Sequence, residues 1–207
     1  MFNDYRNFDD FSQSLQDANF DLESYIDTYR IKIAAKYGVN PLLNEEDRYY
    51  LLDVIIEEKD EQAYNQFIDY ERKNGYVFED YMKVFHYTQM GFYEKAVTEW
   101  NIFLDQATSN EEDPDLSRIF YANFQKAIDI YTDNLKQPKE AIDFLERCIK
   151  GLPQYQLEFN YFIAKVGTEN NLEKKKTKKS IDYCYKYFKE NRYFTKDKLD
   201  IVKQMMK

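Results

Sequence analysis

Beyond Ala96, large apolar residues fall at Trp100, Phe103 and Leu104, four, seven and eight positions along, with polar or charged residues between them. At about 3.6 residues per turn these positions form one stripe, so the segment reads as an amphipathic helix whose small residue admits a close neighbour. The pattern recurs. "DEQAYNQFIDYE" supplies Ala63, Phe67 and Tyr70; "PKEAIDFLERCI" supplies Ala141, Leu145, Cys148 and Ile149; "TKKSIDYCYKYF" supplies Ser180, Cys184, Tyr187 and Phe188. The small anchors are 33, 45 and 39 residues apart. Ahead of each lies a second amphipathic run: "RYYLLDVIIEE", "YMKVFHYTQ", "IFYANFQKAIDIYTDNL" and "LEFNYFIAKV". Each unit is therefore predicted to be a helical hairpin. The longer spacings predict loops at "QATSNEEDPDLS" (106–117) and "GTENNLEKKKTKK" (167–179).

The flanks follow the same logic. Leu22, Tyr25, Ile26, Tyr29 and Ile33 share one helical face, and Gly38 and Pro41 in "AAKYGVNP" are stop signals. Such a stripe needs cover, so a first helix is expected to cap the first hairpin. "TKDKLDIVKQMMK" reads as a short closing helix with Thr195 as its N-cap. The expected organisation is an N-terminal capping region over 1–43, four hairpins over 44–194 and a closing helix over 195–207.

Composition narrows the class to all-α. Five glycines and four prolines in 207 residues are too few for the turns of a β protein. Hydrophobic residues at 43% and charged residues at 32% suit amphipathic helices. The 20 tyrosines and 16 phenylalanines can serve helix seams or a binding surface equally well. Charge divides the chain: residues 1–116 hold 26 Asp and Glu against 10 Lys and Arg, whereas residues 117–207 hold 12 against 19. Opposite charge at the two ends would permit self-association.

Little in the sequence suggests catalysis. There is a single histidine, His86, and no G-x-S-x-G elbow, H-E-x-x-H pair or phosphate-cradling glycine loop. His86 reads as a packed or surface residue, and no catalytic, cofactor or metal site is expected. The acidic clusters "NEED" (44–47), "EEKDE" (57–61) and "NEEDPD" (110–115) lack the spacing of a calcium loop and read as solvated helix starts and turns. Cys148 and Cys184 are read as free, packed thiols, consistent with a reducing compartment. No apolar run approaches the roughly 20 residues of a membrane span, and the first residues lack a signal peptide's blocks. A cytoplasmic chain with no membrane partner is the expectation, unless this is a fragment of a secreted precursor. "KKKTKK" (174–179) points toward nucleic acid or another acidic surface, but in a net acidic chain without a base-reading motif a solvated loop is the expected account.

Gly91, Tyr93, Ala96 and Trp100 keep the spacing of the tetratricopeptide repeat, and Ala141, Leu145, Ile149 and Pro153 keep most of it, with Pro138 where an aromatic would stand. The chain over about 44–194 resembles that family. The resemblance implies a short right-handed solenoid of stacked hairpins and a non-catalytic scaffold that binds a protein or peptide. It also implies that the first helix of each pair lines a groove. Carried over by offset, the groove positions are Arg48, Leu52, Tyr81, Phe85, Asn123, Lys126, Phe162 and Lys165. The two-carboxylate clamp of chaperone-binding members is not reproduced. A second stretch, "LESYIDTYRIKIAAKYGVNPLLNEEDRYYLLDVIIEEKDEQAYNQF", resembles the region joining the catalytic domain of enterochelin-esterase-like α/β-hydrolases to their C-terminal repeats. That resemblance implies an accessory module of such an enzyme as the alternative.

Overall fold

The structure, a computed structural model, describes residues 29, 32, 45–73, 79–109 and 114–206. Among them are nine α-helices and no strand: α1 (Glu45–Glu57), α2 (Glu61–Lys73), α3 (Lys83–Met90), α4 (Tyr93–Ser109), α5 (Pro114–Asp129), α6 (Pro138–Gly151), α7 (Gln156–Glu169), α8 (Lys174–Glu190) and α9 (Arg192–Met205). The protein is all-α, and each helix packs on chain neighbours. It falls into two compact units, residues 1–92 and 93–207. Among the described residues no helix is long and apolar enough to cross a membrane.

In the first unit α1 packs on α2 and α3. Asp60 explains the turn between α1 and α2. Its Oδ1 accepts the Ala63 N–H at 2.9 Å, satisfying one of the free donors at the start of α2. Its Oδ2 accepts the Tyr29 hydroxyl, also at 2.9 Å, and Tyr29 is buried. Tyr29 thus packs over the turn between α1 and α2. Leu22, Tyr25, Ile26, Ile33, Gly38 and Pro41 lie outside the described residues. The core beneath holds Val54, Ile55, Ala63, Tyr64, Phe67, Val84 and Met90. Gly91 ends α3 in the left-handed region (φ 79°, ψ 15°), with its N–H on Thr88 O and the Phe92 N–H on Tyr87 O. A side chain would be strained there, which accounts for glycine at this point.

In the second unit α4 packs on α5 and α6, α6 on α7, α7 on α8 and α8 on α9, which also reaches back to α7. Trp100, Phe103 and Phe120 form a ring cluster with centroids 5.3–5.8 Å apart, extended by Phe144 and Tyr131. Each such buried aromatic contributes about 1.5–3 kcal/mol. α5 ends in a wide π turn, Ile130–Asn134, in which Ile130 and Tyr131 are both buried. Pro138 then opens α6, where its missing N–H costs nothing. A second core joins Ala164 of α7, Ile181, Cys184 and Phe188 of α8, and Leu199 and Val202 of α9.

The small anchors Ala63, Ala96, Ala141 and Ser180 are all buried, and their large followers Phe67, Trp100, Phe103, Leu104, Leu145, Cys148, Cys184 and Phe188 are too. Four expectations need correction, the first being the loop 106–117, of which Gln106–Ser109 belong to α4 and Pro114–Ser117 to α5. Tyr187, expected on the buried stripe, is 42% exposed, because α8 has the single helix α9 beyond it. The predicted loop 167–179 shrinks to Asn170–Glu173, since α7 runs to Glu169 and α8 begins at Lys174. Gly167 is a close-approach residue within α7, not a turn residue: a Cβ there would lie 2.0 Å from Thr177 Oγ1. In "KKKTKK" Thr177 and the following Ser180 are buried, and the lysines between them, good helix formers, take the wet side. Thr195 does not cap the closing helix, which starts at Arg192 directly after Asn191.

Candidate partner-binding face

The most developed surface feature is an aromatic row shared by α5 and α7. Tyr121 and Phe124 are three residues apart on α5, and Phe159 and Phe162 repeat that spacing on α7, so each pair shares a helix face. Tyr155 is added from the short turn Pro153–Tyr155 that leads into α7. The Tyr121 and Tyr155 rings stack with centroids 3.9 Å apart and planes inclined by 7°. Phe124 meets Phe159 at 5.0 Å and Phe162 at 5.2 Å, both edge to face. The two edge-to-face contacts are the arrangement that ring quadrupoles favour. Phe124 and Phe159 are buried and form the base of the row. Tyr121, Tyr155 and Phe162 are half-buried and form its accessible rim.

Charged groups of both signs frame the rim. Lys165 Nζ lies 6.0 Å from the centre of the Phe162 ring, at the edge of cation–π range. Burial raises the Asp129 carboxyl above its usual range, Asp133 adds to this, and Lys165 opposes it. Burial also raises the Tyr121 hydroxyl, and the neighbouring Glu158, through its charge and a hydrogen bond, raises it further. Flat rings flanked by a cation and carboxylates can hold apolar side chains and orient a polar backbone.

Of the positions carried over from the repeat, Phe162 and Lys165 are brought together, on this row. Asn123 is half-buried and its amide donates to the Ile119 carbonyl of its own helix at 2.9 Å. Lys126 is exposed on α5. Arg48 and Leu52 lie on α1, Leu52 half-buried, while Tyr81 sits in the turn Asp80–Met82 and Phe85 on α3, both half-buried. Those four belong to the first unit. Tyr121, Tyr155 and Glu158 were not anticipated. The Tyr/Phe repetition in "IFYANF" and "QYQLEFNYF" is the signal that carries them.

The remaining chemistry is buried. His86 is packed inside the first unit, its Nδ1 sharing a 3.0 Å hydrogen bond with the Tyr64 hydroxyl, and burial lowers its pKa to about 4. Cys148 and Cys184 are free and buried. Burial pushes both thiols up, Cys184 to about 12, so they stay protonated. Among the described residues no group of three or more His, Cys, Asp and Glu is placed to hold a metal ion. Compared with protein-family models, curated proteins and solved structures, the chain matches none. Its class rests on its own architecture: an all-α protein of amphipathic helices packed on their neighbours.

Proposed function

We propose that this protein is a non-catalytic scaffold of tetratricopeptide type that binds an extended protein or peptide segment on the rim made by Tyr121, Tyr155, Phe162 and Lys165. In this reading α5–α6 and α7–α8 are successive hairpins, and α5 and α7 are their groove-lining first helices. The contact between α5 and α7 through the Phe124–Phe159 and Phe124–Phe162 pairs, with Tyr155 of the turn before α7 stacked on Tyr121, is the observation that carries it. Stacking hairpins side by side requires first helix to meet first helix, and the aromatic side chains of that seam remain partly accessible. Rings held rigidly by a buried base lose little entropy on binding and make good anchors.

A peptide-display selection on the immobilised protein tests the reading. Selected peptides should carry apolar or aromatic residues, and Tyr155→Ala and Phe162→Ala should each weaken binding about tenfold or more. Selected peptides that bind both variants at wild-type affinity, while circular dichroism shows the fold intact, would remove the site.

A further inference from the structure

The chain's positive charge is concentrated. Residues 174–207 hold 12 Lys and Arg against 4 Asp and Glu, whereas residues 1–173 hold 17 against 34. Much of it lies on α8, whose first turns, Lys174–Lys179, are helical where the sequence suggests a solvated loop.

α8 is held in one rotational setting. Its inner side is fixed by the buried Thr177, Ser180, Ile181, Cys184 and Phe188. Lys176 adds a tie at its start, its ammonium reaching Asp143 at 3.1 Å, Glu146 at 3.0 Å and Glu173 at 3.8 Å. At about 100° per residue, Lys175, Lys179 and Lys186 then line up on the opposite, solvated side, while Lys178 lies about 60–100° round the helix from them. All four are exposed and form no ion pair with the described residues. Tyr183 and Tyr187, one turn apart, run along the flank of that row and are 36% and 42% exposed. A lysine row alone is an ordinary solvated surface. Two large rings left open along it are not what solvation requires.

We propose that this face of α8 binds single-stranded nucleic acid, with Lys175, Lys179 and Lys186 meeting phosphates and Tyr183 and Tyr187 offering rings on which unpaired bases stack. Lysines supply the sequence-independent attraction, and tyrosine faces suit any base. Asp182 and Glu190 share the exposed arc and hold down its net charge, which limits the phosphates engaged to a few. A duplex keeps its bases stacked internally and has no use for the rings. An acidic polypeptide would satisfy the lysines and ignore them.

Fluorescence anisotropy with a labelled 20-residue oligothymidylate tests this, against a duplex of equal length and poly-L-glutamate as competitors. The single strand should bind at about 50 mM salt and weaken as salt rises, with a log–log slope of about −0.7 per phosphate, hence about −2 for three contacts. Lys179→Ala/Lys186→Ala should flatten the slope by about 1.4. Tyr183→Ala/Tyr187→Ala should weaken binding at least about fivefold with the slope kept, and the double phenylalanine variant should restore it. Tyr155→Ala, on the separate peptide face, should bind the oligonucleotide like the parent, so the two sites can fail independently. No binding at low salt, equal competition by poly-L-glutamate or duplex, or indifference to loss of both rings would each overturn the proposal.

Discussion

The Tyr64 hydroxyl and His86 Nδ1 lie 3.0 Å apart in the interior of the first unit, and their rings meet edge to face at 5.5 Å. Burial holds the imidazole neutral, with a pKa lowered from 6.5 to about 4. The unfolded chain therefore binds more protons than the folded one between those values, and stability rises with pH across that window. It is fully present above pH 6.5 and is lost as pH falls toward 4, by at most about 3 kcal/mol for this group. Urea midpoints at pH 7 and pH 4.5 should differ more for the parent than for His86→Phe. Parallel pH profiles would show that His86 does not titrate as described.

Gly167→Ala should destabilise the seam between α7 and α8. The added Cβ would meet the buried Thr177 side chain at 2.0 Å, and overpacking of that kind costs about 1–3 kcal/mol. Thr177→Ala in the same chain removes the obstacle, so the double variant should melt closer to the parent than the sum of the two single changes predicts. Strict additivity would mean that the two residues do not meet.

Ala96→Trp should cost about 1–3 kcal/mol or more, because Ala96 is completely buried and has no room for the ring. Lys175→Ala, on the exposed side of α8, should stay within about 0.5 kcal/mol. Thermal melts of the pair check this, and equal shifts would undo the assignment of the small anchor position.

Cys148 and Cys184 should resist a disulfide-exchange reagent in the folded protein and react together once denaturant is added, since both are buried and their thiols are kept protonated. Prompt reaction of either in native buffer would place that thiol at the surface.

The stripe of small and large residues was legible because burial on a helix repeats with the helix. Ala96 with Trp100, and Ala141 with Leu145, occupy the interior that their spacing demands. Gly91 was legible because its backbone angles suit glycine. The run 167–179 was misread because local polarity says which side chains meet water, and lysines do so as readily on a helix as in a loop. Thr195 looked like a cap, yet α9 starts from Asn191, where the chain turns directly out of α8. Of the aromatic row, Phe162 and Lys165 followed from repeat offsets. Tyr155 did not, because it comes from a turn behind Pro153 and reaches Tyr121 only through tertiary packing.

Only Asn191 separates α8 from α9, and Leu199 and Val202 close the core around Ile181, Cys184 and Phe188. α7 covers only part of the apolar side of α8, so the strip that faces Leu199 and Val202 stays open until α9 docks. A chain that ended before Leu199 would therefore bare that strip of α8 beside a lysine row, the kind of exposed apolar surface that chaperones engage.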